Sequence, residues 1–327
     1  MSEDHIVHGI GPIGPDSGMT RLETGGDGRF AVGADGVRAI WLTGDAKVEF
    51  IAYESHTLAY VRSALGHPAV YPLEPARIEK PIRAILMDLD GTSVRSETFW
   101  MWIIEQTAAE LMGRKDFQLE PADEPFVSGH SMSEHMQYCI DKYCPDKTVE
   151  AARTIYFRIT ARELKAILDG GGRADAFVPA PYLKEFLLEV KGRGIKIALV
   201  TGGLYEKAWP EIVGAFRTMG LDDPLAFYDA IVTSGQAMRS GQTGTLGELE
   251  TKPHPWPYAE AARLGLGIGP DQRAHCFGIE DSGAGVCSIR LAGFAAVGVA
   301  DGNIERAGVM DLLHDYKPTL EQVLELL

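Results

Sequence analysis

Arg83-Ala84-Ile85-Leu86-Met87-Asp88-Leu89-Asp90-Gly91-Thr92 carries an apolar run straight into two carboxylates and a glycine. The run is too short for a stand-alone helix and reads as a buried parallel strand. Side chains alternate along a strand, so Asp88 and Asp90 start on the same side of it. Gly91 lets the backbone turn sharply behind them. The carboxyl end of a central parallel strand is where open α/β sheets bind ligands. Two close carboxylates repel each other, and a divalent cation relieves that repulsion. Taken alone, the segment is equally well an ordinary strand ending in an Asp-Gly turn.

The segments downstream repeat the pattern. Ile195–Val200 reads as a strand ending at Thr201-Gly202-Gly203, with a helix over Tyr205–Met219. Asp229–Thr233 and His275–Ile279 read as further strands, Gly285–Ala292 as a helix, and Phe294–Val299 as a last strand. Repeated strand–helix units imply a parallel sheet covered on both faces, an α/β, Rossmann-like doubly wound fold. Between the first strand and the second the periodicity is helical, over Glu97–Met112, Ser131–Cys144 and Val149–Leu168. The expected organisation is therefore an α/β core at 81–95 and 178–327, with an inserted helical cap domain at 96–177.

Upstream, residues 19–80 read as a small β-rich module. Val37–Leu42 and Lys47–Ala52 flank Thr43-Gly44-Asp45-Ala46, a hairpin pattern. A module of this size buries little surface alone, so it is expected to pack on the core or to mediate homodimer contacts. Residues 1–18 are polar, rich in glycine and proline, and expected to form a flexible arm.

The chain has 327 residues, 45% hydrophobic and 24% charged, an ordinary globular composition. Its net charge of −15 argues against nucleic acid and anionic membrane as partners. Cys139, Cys144, Cys276 and Cys287 form no Cys-x-x-Cys pair and are expected as free, buried thiols in a reducing compartment. No signal-peptide pattern or membrane-length apolar run is evident, so a cytoplasmic location is expected.

Three further polar features stand at strand ends or loops of the same sheet. Thr201 and the Gly202 amide offer donors to an anionic oxygen. Lys252, in Thr251-Lys252-Pro253-His254-Pro255, would offset the repulsion between a phosphate and Asp88. Glu280-Asp281 would bring carboxylate oxygens to a metal, and such hard ligands suit Mg²⁺. Each feature alone has a structural explanation as a cap, a turn or a solvated lysine. Their order on this alternation makes the joint reading the stronger one.

With these residues in place the sequence resembles the haloacid dehalogenase superfamily of phosphohydrolases. Asp88-Leu89-Asp90-Gly91-Thr92 is similar to its first motif, Val200-Thr201-Gly202 to its second and Lys252-Pro253-His254-Pro255 to its third. Gly278-Ile279-Glu280-Asp281-Ser282-Gly283-Ala284-Gly285-Val286 resembles its fourth, in the form of the β-phosphoglucomutase-like branch. The helical insertion resembles that branch's cap, and the resemblance covers 83–327 only. It implies a Mg²⁺-dependent phosphatase acting on a small phosphorylated metabolite, a sugar phosphate foremost. Asp88 would be the nucleophile that forms an aspartyl-phosphate, and Asp90 the acid and base. Thr201, Gly202 and Lys252 would bind phosphoryl oxygens. Asp88, the Asp90 backbone carbonyl, Asp281 and Glu280 would surround the metal.

The resemblance also implies competing readings. A phosphosugar mutase of the β-phosphoglucomutase type is one, but the histidine that branch carries after its first motif is Trp100 here. Dehalogenation dispenses with the second aspartate, and Asp90 is present. A non-catalytic binding protein is a reading of another class, opposed by the joint retention of Asp88, Asp90, Thr201, Lys252 and Asp281. In the cap, Val127-Ser128-Gly129-His130-Ser131 resembles a substrate-specificity loop, so His130 and Ser131 are candidate substrate contacts, with Ser131 equally readable as a helix cap.

Overall fold

The computed structural model describes residues 5–13, 17–62, 68–123, 132–234 and 251–327. The described chain forms two compact units. One comprises the chain up to Ser93, Ala180–Ala208 and Asp222–Leu327. The other comprises Val94–Pro179 and Trp209–Leu221.

The first unit begins with an antiparallel pair, β1 (His5–Val7) and β2 (Gly11–Ile13). The segment expected as a flexible arm is thus ordered at residues 5–13, because Val7 and Ile13 are buried in the main core. A five-stranded antiparallel meander follows: β3 (Thr20–Leu22), β4 (Ala39–Leu42), β5 (Val48–Ala52), β6 (Thr57–Val61) and β7 (Ala69–Pro72). Strands β4 and β5 pair across the expected hairpin, with Leu42 opposite Glu49 and Ala39 opposite Ala52.

Strand alternation then sorts the side chains of β5 between two faces. Val48, Phe50 and Ala52 join one buried cluster with Ala84 and Leu86 of the core, Tyr258 and Ile289. Ile51 faces the other way and packs with Val37, Ile40 and Tyr60. The module therefore shares a continuous hydrophobic core with the α/β sheet, as its small size requires.

The first strand of that sheet is β8 (Ala84–Asp88), fully buried along its length. The chain then enters the second unit, where β9 (Val94–Arg95) and β10 (Val178–Pro179) pair antiparallel at its point of entry and return. Between them lie helices at Glu97–Met112, Met132–Tyr143 and Val149–Leu168. The last helix is capped by the Thr148 side chain, and Ala152, Tyr156, Ile159, Leu164 and Ile167 form its buried stripe. Asp123, also buried, accepts hydrogen bonds from Tyr138 (2.6 Å), Lys142 (2.6 Å), the Glu120 amide (2.8 Å) and the Tyr143 hydroxyl.

Back in the first unit come β11 (Lys196–Leu204), β12 (Ala230–Ser234), β13 (Cys276–Glu280), β14 (Ala295–Gly298) and β15 (Asp315–Tyr316). The six-stranded sheet has the order β12-β11-β8-β13-β14-β15, and every pairing in it is parallel. This is the Rossmann-like α/β architecture expected from the alternation. The helix at Tyr205–Met219 departs from the expected domain division, since Trp209–Leu221 groups with the helical unit. Among the described residues, all four cysteines are free and buried, and no helix is long and apolar enough to cross a membrane.

Candidate active site

Strand register brings the chemistry together. Asp88 closes β8 opposite Val200 of β11, and Met87 lies opposite Ile279 of β13, one residue before Glu280. The carboxyl ends of three neighbouring strands thus deliver Asp88, Thr201 and Glu280 to one edge. Between Val200 and Leu204 the pairing of β11 with β12 slips register, so Thr201-Gly202-Gly203 bulges at that edge.

Lys252 binds the two central carboxylates at once. Its ammonium donates to Asp88 Oδ1, to Glu280 Oε1 at 2.6 Å and to the Val200 carbonyl at 3.2 Å. The lysine side chain is 10% exposed, Asp88 6% and Glu280 not at all, so this bridge is screened from water. Burial pushes the ammonium toward neutrality, but the carboxylates of Asp88 and Glu280 outweigh it and hold Lys252 above its ordinary range. Lys252 stays a cation.

Asp88 has its second oxygen unengaged. Among the described residues no donor reaches Oδ2, while its backbone carbonyl accepts from the Ser93 hydroxyl. Burial, and then the Glu280 carboxylate, raise its affinity for a proton well above that of an ordinary aspartate. Asp281 is similar: burial and Glu280 lift its carboxyl to about 7, and Thr92 donates to its Oδ1 at 3.2 Å. Gly91, at φ 82°, lies directly against Asp281 Oδ2, so a Cβ at that position would overlap the carboxylate.

Glu280 is fully engaged. Oε1 accepts from Lys252 and from the Tyr258 hydroxyl at 2.9 Å. Oε2 accepts from the Asp281 amide (3.1 Å), the Ser282 amide (3.0 Å) and the Ser282 hydroxyl (2.9 Å). Gly285 sits against this carboxylate where any side chain would collide, which explains the glycine in Glu280-Asp281-Ser282-Gly283-Ala284-Gly285.

Asp90 is held separately. Thr201 donates to its Oδ2 at 3.0 Å and Lys207 to its Oδ1 at 2.8 Å. Burial acts to raise its pKa, but the Lys207 ammonium and these hydrogen bonds prevail and hold the carboxyl below its usual range. Asp90 rests as a carboxylate. Its side chain, 36% exposed, is the open member of the group.

Oxygens of Asp88, Glu280 and Asp281 all lie within 4.8 Å of one another, a spacing that fits a shared cation. The donor set is all oxygen, as Mg²⁺ prefers. The raised proton affinity of Asp88 and Asp281 follows from their burial beside the Glu280 carboxylate. The side chain of Asp90 is outside this cluster. Gly202 lies exposed on the bulge, while the Thr201 hydroxyl serves Asp90. His130 and Ser131 lie outside the described residues, as does most of the long loop before Lys252.

Sequence reasoning missed Lys207 and Tyr258. Lys207 carried a signal: a lysine in the first turn of a helix opposes the helix dipole and needs a reason. Tyr258 carried none, since an aromatic in a short helix reads as packing.

The profile of haloacid dehalogenase-like hydrolases matches residues 82–293. No curated protein matches the chain. Among solved structures, CbbY from Rhodobacter sphaeroides in complex with phosphate superposes with a TM-score of 0.51 at 19% identity, covering 73% of this chain and 95% of its own. A predicted phosphoglycolate phosphatase from Haemophilus somnus 129pt gives 0.53 at 18% identity, covering 75% and 97%. A superfamily hydrolase of subfamily IA, variant 1, from Geobacter sulfurreducens PCA gives 0.53 at 16%, covering 77% and 99%. At these identities the likeness concerns the fold.

Proposed function

Since the chain belongs to the haloacid dehalogenase-like hydrolases, we propose that it is a Mg²⁺-dependent phosphatase working through a phosphorylated Asp88. One observation carries this reading: Asp88 has Oδ1 held by Lys252 and, among the described residues, no donor on Oδ2, two residues from an aspartate held ready by Thr201 and Lys207.

Asp88 Oδ2 attacks phosphorus, and the bond from phosphorus to the leaving oxygen breaks in line. Asp90, having taken up a proton as the anionic substrate settles, gives it to the leaving alcohol. It then removes a proton from the water that attacks the phosphorus of the aspartyl-phosphate. Inorganic phosphate leaves, and Asp88 returns as a carboxylate. The Lys252 charge would offset that of the phosphoryl group and the Gly202 amide would donate to one of its oxygens, while Thr201 keeps Asp90 in place. Asp88, the Asp90 carbonyl and Asp281 would hold Mg²⁺, which supplies charge neutralisation and orients the phosphoryl oxygens. Glu280, with both oxygens taken, fixes Lys252 and the Asp281 backbone rather than binding metal.

The substrate proposed is a small phosphorylated metabolite of the cytoplasm, a sugar phosphate first. The net charge of −15 disfavours phosphorylated polyanions. The mutase alternative loses ground at Trp100, whose ring nitrogen donates to buried Glu211 at 3.0 Å within the helical unit.

The test is phosphate release from an aryl phosphate and a panel of sugar phosphates, with and without Mg²⁺, for wild type and Asp88→Asn. Metal-dependent release by wild type alone, with an acid-stable, hydroxylamine-labile phosphoprotein, is expected. No release and no phosphoprotein across the panel would reject the proposal. Glucose 6-phosphate formed from β-glucose 1-phosphate would replace it with the mutase.

A further inference from the structure

The family profile begins at residue 82, yet a residue before it reaches the loop that carries the site's buried cation. Tyr71, on β7, has its hydroxyl 2.8 Å from His254 Nδ1. Its ring packs edge-on against His254 at 5.8 Å and against Trp256 at 6.0 Å between centroids. His254 lies two residues after Lys252 and is buried. Its backbone is held as well: the carbonyl accepts from Ser288 Oγ at 2.5 Å, and the amide donates to the Thr251 carbonyl at 3.0 Å.

Ser288 belongs to the helix at Gly283–Leu291 that follows Glu280 and Asp281. The His254 anchor therefore ties the lysine loop to the acidic loop on one side and to the antiparallel sheet on the other. We propose that Tyr71 is a positioning residue for Lys252, so that the N-terminal sheet is a working part of the catalytic site. The proposal rests on the phosphatase reading for its kinetic consequence, though not for the contact itself.

Lys252 bridges two carboxylates and a carbonyl inside a buried site, and electrostatic stabilisation of this kind depends on fixed placement. A lysine side chain has four rotatable carbons, so its head is fixed only as well as the backbone that starts it. That backbone is pinned through His254. The position of the module supports a continuous load path: Gly44 donates to the Ala307 carbonyl at 2.8 Å, and Val48 and Phe50 share a core with Val286 and Ile289. β7 is thus held on the same body as the lysine loop.

The test compares Tyr71→Phe, which keeps the ring and loses the hydroxyl, with Tyr71→Leu. Loss of one net hydrogen bond's worth of positioning predicts kcat of Tyr71→Phe down about fivefold to tenfold. KM should change less than kcat, because the lysine acts most strongly on the transition state. Hydrogen exchange of the His254 amide should quicken in Tyr71→Phe while β8 and β13 amides are unchanged. Wild-type kcat together with wild-type exchange at His254 would overturn the proposal. A fall in kcat that only tracks loss of folded protein in both variants, with exchange raised everywhere, would also overturn it. Should wild type prove inactive, the phosphatase reading fails, and exchange at His254 still decides whether Tyr71 holds the loop.

Discussion

Replacing Lys252 by methionine keeps much of the side-chain volume and removes the ammonium between Asp88 and Glu280. Removing one partner from a buried ion pair costs about 3–5 kcal/mol. Here one ammonium serves two carboxylates, each at most 6% exposed, so the upper end of that range applies. The folded protein has one escape, which is to bind a proton at the cluster. Asp88 is already raised by burial and Glu280, and Asp281 already stands at about 7. Without Lys252 these carboxyls climb further. A carboxyl raised in the folded state contributes stability that is full at low pH and lost as pH rises through its folded value. The gap between wild type and variant should therefore widen by about 1.4 kcal/mol per pH unit for each proton that the variant keeps and wild type has lost. For Asp281, which stands at about 7 in wild type, the gap opens around pH 7 and reaches about 1.4 kcal/mol by pH 8. Urea unfolding of both proteins, free of divalent metal, at several values from pH 6 to pH 8 measures it. A gap that stays constant with pH would refute the reasoning, because the cluster would then not be relying on the lysine charge. Glu280→Gln added to Lys252→Met should recover part of the loss, a non-additivity specific to paired charges.

Gly91→Ala forces a Cβ against Asp281 Oδ2 at a left-handed φ of 82°. It should cost about 1–3 kcal/mol of stability and weaken Mg²⁺ binding by calorimetry, and unchanged affinity would argue against Asp281 as a ligand. Lys207→Met removes the cation that holds the Asp90 carboxyl down. Its pKa should rise, so the limb of the pH–rate profile belonging to Asp90 moves to higher pH; a fixed limb would detach Asp90 from it. Asp123→Ala removes the acceptor shared by Tyr138, Lys142 and Tyr143 within the helical unit. Burial acts to raise that carboxyl, but its hydrogen bonds hold it well below the usual range. Its contribution is thus present near neutrality and lost on acidification. The variant should melt several degrees lower near pH 7, with a difference that starts to shrink below about pH 4 and is lost mainly below pH 3 by calorimetry.

Much of this was legible because the core is built from repeating local signals. The apolar run at Ala84–Met87 and the alternating strands after Ile195 specify a parallel sheet without reference to anything distant. Asp88, Asp90, Lys252 and Asp281 were legible for the same reason: each stands at a strand end or in a loop where the alternation breaks. Glu280 stands in the expected acidic cluster, while its five donors were not legible from the sequence. Three of those donors, from Asp281 and Ser282, are local, whereas Lys252 arrives from another loop and Tyr258 from the short helix Trp256–Glu260. The β1–β2 hairpin was hidden because its order comes from Val7 and Ile13 entering a core built mostly elsewhere. Tyr71 was hidden more deeply, since its partner lies 183 residues away.

The charge balance of the site gives the proposed cation a second task. Asp88, Asp90, Glu280 and Asp281 supply four carboxylates, against two ammonium groups on Lys252 and Lys207. Fully ionised, the group carries two negative charges in excess before any phosphate arrives. Burial and the neighbouring charges make that excess costly, which is why the proton affinity of Asp88 and Asp281 is raised. A protonated Asp88, however, is no nucleophile, and a phosphate dianion would raise its proton affinity again. Glu280 has its own oxygens satisfied by Lys252 and four further donors, yet its charge still raises Asp88 and Asp281. Asp90 is compensated by Lys207. The excess resides on Asp88 Oδ2 and Asp281 Oδ2, the oxygens that no donor from another described residue reaches. A divalent cation placed between them cancels the excess where it sits and leaves Asp88 ionised when phosphate binds. On this reading the cation is needed to keep the nucleophile deprotonated as much as to polarise the phosphoryl group.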